Sequence, residues 1–231
     1  MTQHIGIVGC SAPGAALCYS TICSEGAELL GAHAHPEVTM HTPSLAEYVS
    51  FLERDDWIGV GELMLASAHK LANVGADFLI CPDNTIHQAL PDFESRSPLP
   101  WLHIAEVVAI EAADRNFRRL LLTGTKWLVN SEVYPDKLSA RDLEFVRPDE
   151  DDRNEMSRII MDELVSGILK PEAVTFFQRV IQQSKASGCD AAILGCTEIP
   201  LIIDDTNSAL PTLDSTRLLA RAALRRAVDD E

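Results

Sequence analysis

The chain has 231 residues, with 35 Asp and Glu against 19 Lys and Arg, a formal net charge of −16. That surplus argues against nucleic acid as a partner, because phosphate binding needs clustered Lys and Arg, and no apolar run is long enough to span a bilayer. A hydrophobic content of 46% supports a real core in one large domain or two small ones.

The first residues lack the basic start and long apolar core of a signal peptide, and Ile5 to Val8 reads as a first buried strand. It ends at Gly9-Cys10-Ser11-Ala12-Pro13-Gly14, before a helix expected from Ala15 to Leu29. Such a loop offers free N–H groups to a small carboxylate, or is an ordinary tight turn. Glu37 to His41 is a second strand, and Ser44 is placed to cap a helix from Leu45 to about Arg54. Trp57 to Val74 repeats its apolar residues with helical period through Val60, Leu63, Met64, Ala68 and Leu71, one expected buried face. Phe78 to Ile80 is the third strand and leads into Pro82-Asp83-Asn84-Thr85-Ile86-His87, where His87 either holds the loop or acts in chemistry.

The proline-marked Ser95 to Pro100 is the expected boundary between halves. The second half then reads as a strand at Trp101 to Ile104, a helix to about Asn116 and a strand at Arg119 to Thr123 closed by Gly124 and Thr125. A helix over 126–138, a strand at Leu143 to Val146, and helices at Asp149 to Gly167 and Pro171 to Ser187 follow. The apolar run Ala191 to Leu194 is a buried strand, Leu210 to Asp214 a last short one, and Ser215 to Val228 a closing helix. Alternation of strands and helices implies an α/β fold with mainly parallel sheets. The expected domains are 1–98 with the returning 209–231, and 99–208.

The centre of the pattern is the turn Gly195-Cys196-Thr197-Glu198-Ile199-Pro200, which leaves a thiol at the carboxyl end of a buried strand. Ligands of open α/β sheets bind at such ends. The stretch has an echo: Gly75, Asp77 and Ile80 align with Gly188, Asp190 and Ile193 at an offset of 113, which sets Asp83 opposite Cys196 and leaves Cys81 out of register. Two related α/β halves account for this, although helix-glycine-strand units share such grammar by chance. The six cysteines show neither C-x-x-C spacing nor scaffold density, so reduced thiols and a cytoplasmic location are expected. No His, Cys and Asp cluster has the spacing of a metal site.

Gly9 to Gly14, Asn84-Thr85-Ile86-His87, Leu99 to Ile104, Gly124-Thr125 and Gly195 to Pro200 stand in an order that resembles the aspartate/glutamate racemase family. The resemblance covers nearly the whole chain, and the Gly-Cys-Thr-Glu turn is its most specific element. It implies two similar, pseudo-twofold-related α/β domains with the site in the cleft between them, an amino-acid substrate, no cofactor, and commonly a homodimer. It also implies two acid/base groups, usually cysteines, on opposite faces of the substrate Cα. Cys196 matches one; Asp83 stands at the other position, so this is a one-cysteine member. Asn84, Thr85, Thr197 and Glu198 match groups that hold the α-carboxylate and amine, and Ser11 and Thr125 match the pocket wall. Glu155 falls where acidic-amino-acid racemases often carry a lysine, and Leu52 where a polar residue is common. Both weaken the case for an aspartate or glutamate substrate.

Removing a proton next to a carboxylate builds charge on an anionic group, so the site must offer fixed N–H dipoles and a base of suitable pKa. A thiol near helix N-termini ionises readily; an ordinary aspartate, at about 3.9, is a weak base unless burial raises it. Asp83 is either the partner of Cys196 or an anchor for the Asn84 loop. Two other classes stay open: a one-base decarboxylase or lyase of the same superfamily, and a non-catalytic amino-acid-binding protein.

Overall fold

The computed structural model describes residues 2–229. The chain divides into two compact units, one running to Ile104 and resuming at Thr216, the other Ala105–Ser215.

The first unit holds β1 (Ile5–Val8), α1 (Ala12–Leu30), β2 (Val38–His41), α2 (Leu45–Leu52), α3 (Trp57–Asn73), β3 (Phe78–Ile80), α4 (Leu90–Phe93) and β4 (Trp101–Leu102). Its sheet is wholly parallel in the order β2-β1-β3-β4. Ile5, Ile7, Phe78, Leu79 and Ile80 are all sealed from solvent. Strands covered on both faces carry unbroken apolar runs, which is why these read as runs and not as alternation. α1 starts three residues earlier than expected, because Ser11 accepts the Gly14 N–H at 3.3 Å and so caps it. Ser44 makes no such bond, whereas Asp56 caps α3 by accepting from Gly59 N at 2.9 Å.

The second unit continues with α5 (Ile104–Asp114), β5 (Arg119–Thr123), α6 (Lys126–Asn130), α7 (Val133–Ser139), β6 (Glu144–Val146), α8 (Glu150–Asp162), α9 (Pro171–Ala186), β7 (Ala191–Leu194) and β8 (Thr212–Asp214). The last helix, α10 (Ser215–Val228), follows. The sheet is again parallel, in the order β6-β5-β7-β8. The single helix expected over 126–138 is two, since the Ser131 hydroxyl bonds Leu128 O and takes the Val133 N–H, diverting the backbone ladder. The helix expected to run to Gly167 stops at Asp162, and a short 3₁₀ turn closes on Gly167 with φ +73°.

The compact units divide elsewhere than at the expected 98/99 and 208/209: residues 99–104 fall in the first unit and 209–215 in the second. β4 pairs with β3, Leu79 to Trp101 and Ile80 to Leu102, so the first unit runs on past the prolines. β8 pairs with β7 and belongs to the second sheet. Each short strand satisfies the open backbone edge of its own half, a constraint that proline content does not report.

The two sheets repeat one design. Asp77 N donates to His4 O at 2.8 Å while the Asp77 carboxylate accepts His4 N at 2.7 Å. Asp190 N donates to Arg119 O at 2.9 Å, and its carboxylate accepts Arg118 N and Arg119 N. Each aspartate pins the entry of a neighbouring central strand, which explains their matched positions in the sequence echo. No helix among the described residues is long and apolar enough to cross a membrane.

Candidate active site

The Cys196 turn is shaped by a close approach of two loops. β7 enters fully buried, and Gly195 N donates to Thr123 O at 3.1 Å. A Cβ on Gly195 would lie 2.4 Å from that same oxygen and 2.7 Å from Leu128 Cδ2, so no larger residue fits. Gly124, at φ +152°, faces Gly195 across the same gap. The strand ends are tied further by the Thr123 hydroxyl on Ile193 O at 2.6 Å and the Ser215 hydroxyl on Leu194 O at 2.8 Å. Leu121, Met156, Phe177, Leu194 and Ile199 pack in the apolar cluster that includes Cys196. The backbone that carries the thiol is therefore rigid for packing reasons.

On that base, Cys196, Thr197 and Glu198 form one hydrogen-bonded group. The Cys196 thiol donates to Glu198 Oε2 at 2.9 Å, and the Thr197 hydroxyl donates to the same oxygen at 2.7 Å. Glu198 is 2% exposed, and its Oε1 has no hydrogen-bond partner among the described residues. Cys196 itself is 9% exposed. Thr125 caps α6 by accepting from Leu128 N at 3.3 Å, at the carboxyl end of β5.

In the first unit, Asp83 clamps the loop between β1 and α1. Its carboxylate accepts Cys10 N at 3.0 Å and Ser11 N at 3.1 Å. Asn84 is buried at the start of a 3₁₀ turn over Thr85–Ala89, and Thr85 is half-buried. His87 Nδ1 lies 3.1 Å from Asp83 O, and its ring packs against His103 with centroids 4.9 Å apart. That arrangement makes His87 a brace for the loop. Asp83, Asn84 and Ser11 thus come together, as do Cys196, Thr197 and Glu198. Cys81 is sealed, and burial first, then the Asp83 charge, pushes its thiol well above the ordinary range. It stays protonated, in keeping with its being out of register.

Two residues behave differently from a substrate-pocket reading. Glu155 is held by Arg158 on its own helix through bonds of 2.7 and 2.9 Å, and that guanidinium lowers its carboxyl below the usual range. Arg158 reaches on to Glu163 at 2.8 Å, so Glu155 belongs to a surface ion-pair network. Leu52 lies at the buried end of α2 with Tyr48. Tyr48 itself escaped the sequence reading. Its phenol is fully buried, and burial, with Cys10, Cys81 and Asp83 nearby, pushes it far up, so it remains neutral. A lone tyrosine on an amphipathic helix carries no signal that could have singled it out.

A sequence model of the Asp/Glu/hydantoin racemase family matches residues 7–223. A broad specificity amino-acid racemase from Bacillus subtilis is 24% identical over 164 residues, covering 70% of this chain and 69% of that protein. The crystal structure of a candidate Asp/Glu racemase from Yersinia pestis superposes with a TM-score of 0.89 at 28% identity, over 98% of this chain and 100% of that one. An aspartate racemase homologue from Pyrococcus horikoshii gives 0.83 at 28% identity, over 99% and 100%.

Proposed function

The chain belongs to the Asp/Glu/hydantoin racemase family, and from that premise we propose that Cys196 and Asp83 exchange the Cα proton of a free amino acid from opposite faces, without a cofactor. The observation that carries this is the Cys196 thiol, fixed at the end of β7 and hydrogen-bonded at 2.9 Å to a buried carboxylate. A thiol so placed is held at one position and orientation, as an acid/base group must be. Asp83 is oriented by two N–H donors.

Backbone N–H groups around Asn84, Thr85, Thr197 and Glu198 hold the substrate α-carboxylate and so lower the cost of charge building beside it. Ser11 and Thr125 close the pocket wall. The sequence carries Glu155 where acidic-amino-acid racemases often have a lysine and an apolar Leu52 where a polar residue is common, which favours a substrate without an acidic side chain. The broad specificity in the name of the Bacillus subtilis relative supports the same reading. The reading places a homodimer in the cytoplasm, on the strength of the family likeness and of cysteines spaced without C-x-x-C pairs or scaffold density.

The test is an exchange screen of the common amino acids in D₂O, with Cys196→Ala as control. The expected result is deuterium at Cα of both enantiomers of one or more substrates, lost in the variant. Exchange that survives Cys196→Ala, or none with any amino acid, overturns the proposal.

A further inference from the structure

The proposed reaction leaves the Glu198 side chain without a task. The carboxylates that fix backbone in this chain accept backbone N–H groups, as Asp190 does from Arg118 and Arg119 and Asp56 does from Gly59. Glu198 instead takes two side-chain donors, Cys196 Sγ and Thr197 Oγ1, on one oxygen. Its other oxygen is buried and unpartnered. Among the described residues no Lys, Arg or His is bonded to it; Cys196 is the titratable group it touches, and the Thr197 hydroxyl does not titrate.

We propose that Glu198 is the proton store of Cys196. It takes the thiol's proton as sulfur takes the proton of the substrate Cα, and returns it when sulfur reprotonates Cα. This rests on the role of Cys196 given above. In the forward step the Cα–H bond breaks and a new S–H bond forms. The original S–H bond breaks and an O–H bond forms on Oε2. The electron pair of the Cα–H bond stays on carbon and spreads into the substrate carboxylate. Total charge is unchanged, and no free thiolate has to build up.

Three features favour this division of work. A thiol must lose its proton before sulfur acts as a base. A thiolate and a carboxylate 2.9 Å apart repel each other, which favours keeping one proton between the two groups. On a neutral acid, Oε1 is a carbonyl oxygen, and burying it without a donor costs less than burying a charged one. The Thr197 hydroxyl holds the carboxyl plane toward sulfur in both states. Glu198 acts on the substrate only through Cys196.

Glu198→Gln keeps the shape and the hydrogen bonds but takes no proton. In this variant kcat should fall by about 10²- to 10⁴-fold near neutral pH, with KM within about twofold, and should recover as pH rises and sulfur ionises unaided. Glu198→Asp, which can still take a proton, should lose less and keep the wild-type pH profile. A kcat within a few-fold of wild type with an unchanged profile overturns the proposal. So does a raised KM at constant kcat, which would make Glu198 an anchor for the substrate ammonium. A second readout needs no turnover. The ultraviolet thiolate signal of Cys196, taken as the difference from Cys196→Ser, should appear at lower pH in Glu198→Gln than in wild type, because the neighbouring charge is gone. Equal midpoints overturn the proposal even if no amino acid is racemised, a result that would by itself count only against the racemase mechanism.

Discussion

Replacing Asp83 with Asn tests the clamp and the chemistry at once. The carboxylate accepts two buried N–H groups at 3.0 and 3.1 Å, and the residue is 9% exposed. An amide offers one acceptor and one donor. Its best rotamer keeps one bond and turns its NH₂ toward the second N–H. A bond to a charged acceptor contributes about 1.5–3 kcal/mol, and an abandoned buried donor costs about 1–3 kcal/mol. The two figures overlap, so the expected loss is about 3 kcal/mol. With a urea slope of about 2 kcal/mol/M, the unfolding midpoint should drop by about 1.5 M. In D₂O, Asp83→Asn should still wash deuterium into the enantiomer whose Cα–H faces Cys196, but without inversion. A midpoint unchanged within about 0.3 M would refute the clamp. Racemisation at wild-type rate in both directions would refute the acid/base role.

Gly195→Ala should destabilise the second unit by about 1–3 kcal/mol. The added Cβ would sit 2.4 Å from Thr123 O, a backbone atom that cannot step aside as Leu128 Cδ2 can. Calorimetric melting checks it, and an unchanged melting temperature would show that the loops part freely. Acid sensitivity should trace in part to Glu163. Its carboxyl is held below the usual range by its hydrogen bond to Arg158, and by Lys170. A depressed carboxylate stabilises the fold above its unfolded value of about 4.3, and that contribution is lost as pH falls through the folded value. Glu163→Gln should therefore flatten the fall in stability below about pH 4.5, read from denaturation midpoints against pH. A slope identical to wild type would mean the network is solvated.

Periodicity and turn chemistry were enough for the α/β class, the two-part repeat and the turn that carries Cys196. Buried parallel strands must be short apolar runs, and Gly195 reports a close backbone approach wherever it falls. The offset between Asp77 and Asp190 already encoded their common duty at the strand entries. Sequence reading failed where an outcome depended on partners far away in the chain. β4 and β8 are too short to declare their sheet, and the open edge beside each one decided it. Ser131 is a local exception: its hydroxyl on Leu128 O, three residues back, splits a helix that the apolar period alone does not interrupt. The side-chain work of Glu198 was equally hidden. Spacing put a carboxylate two residues from a thiol, but rotamer and burial turned one oxygen onto sulfur and left the other bare. Local patterns specify which elements form, since they act within a few residues. The direction of a buried hydrogen bond is settled by whatever packing brings within 3 Å of it.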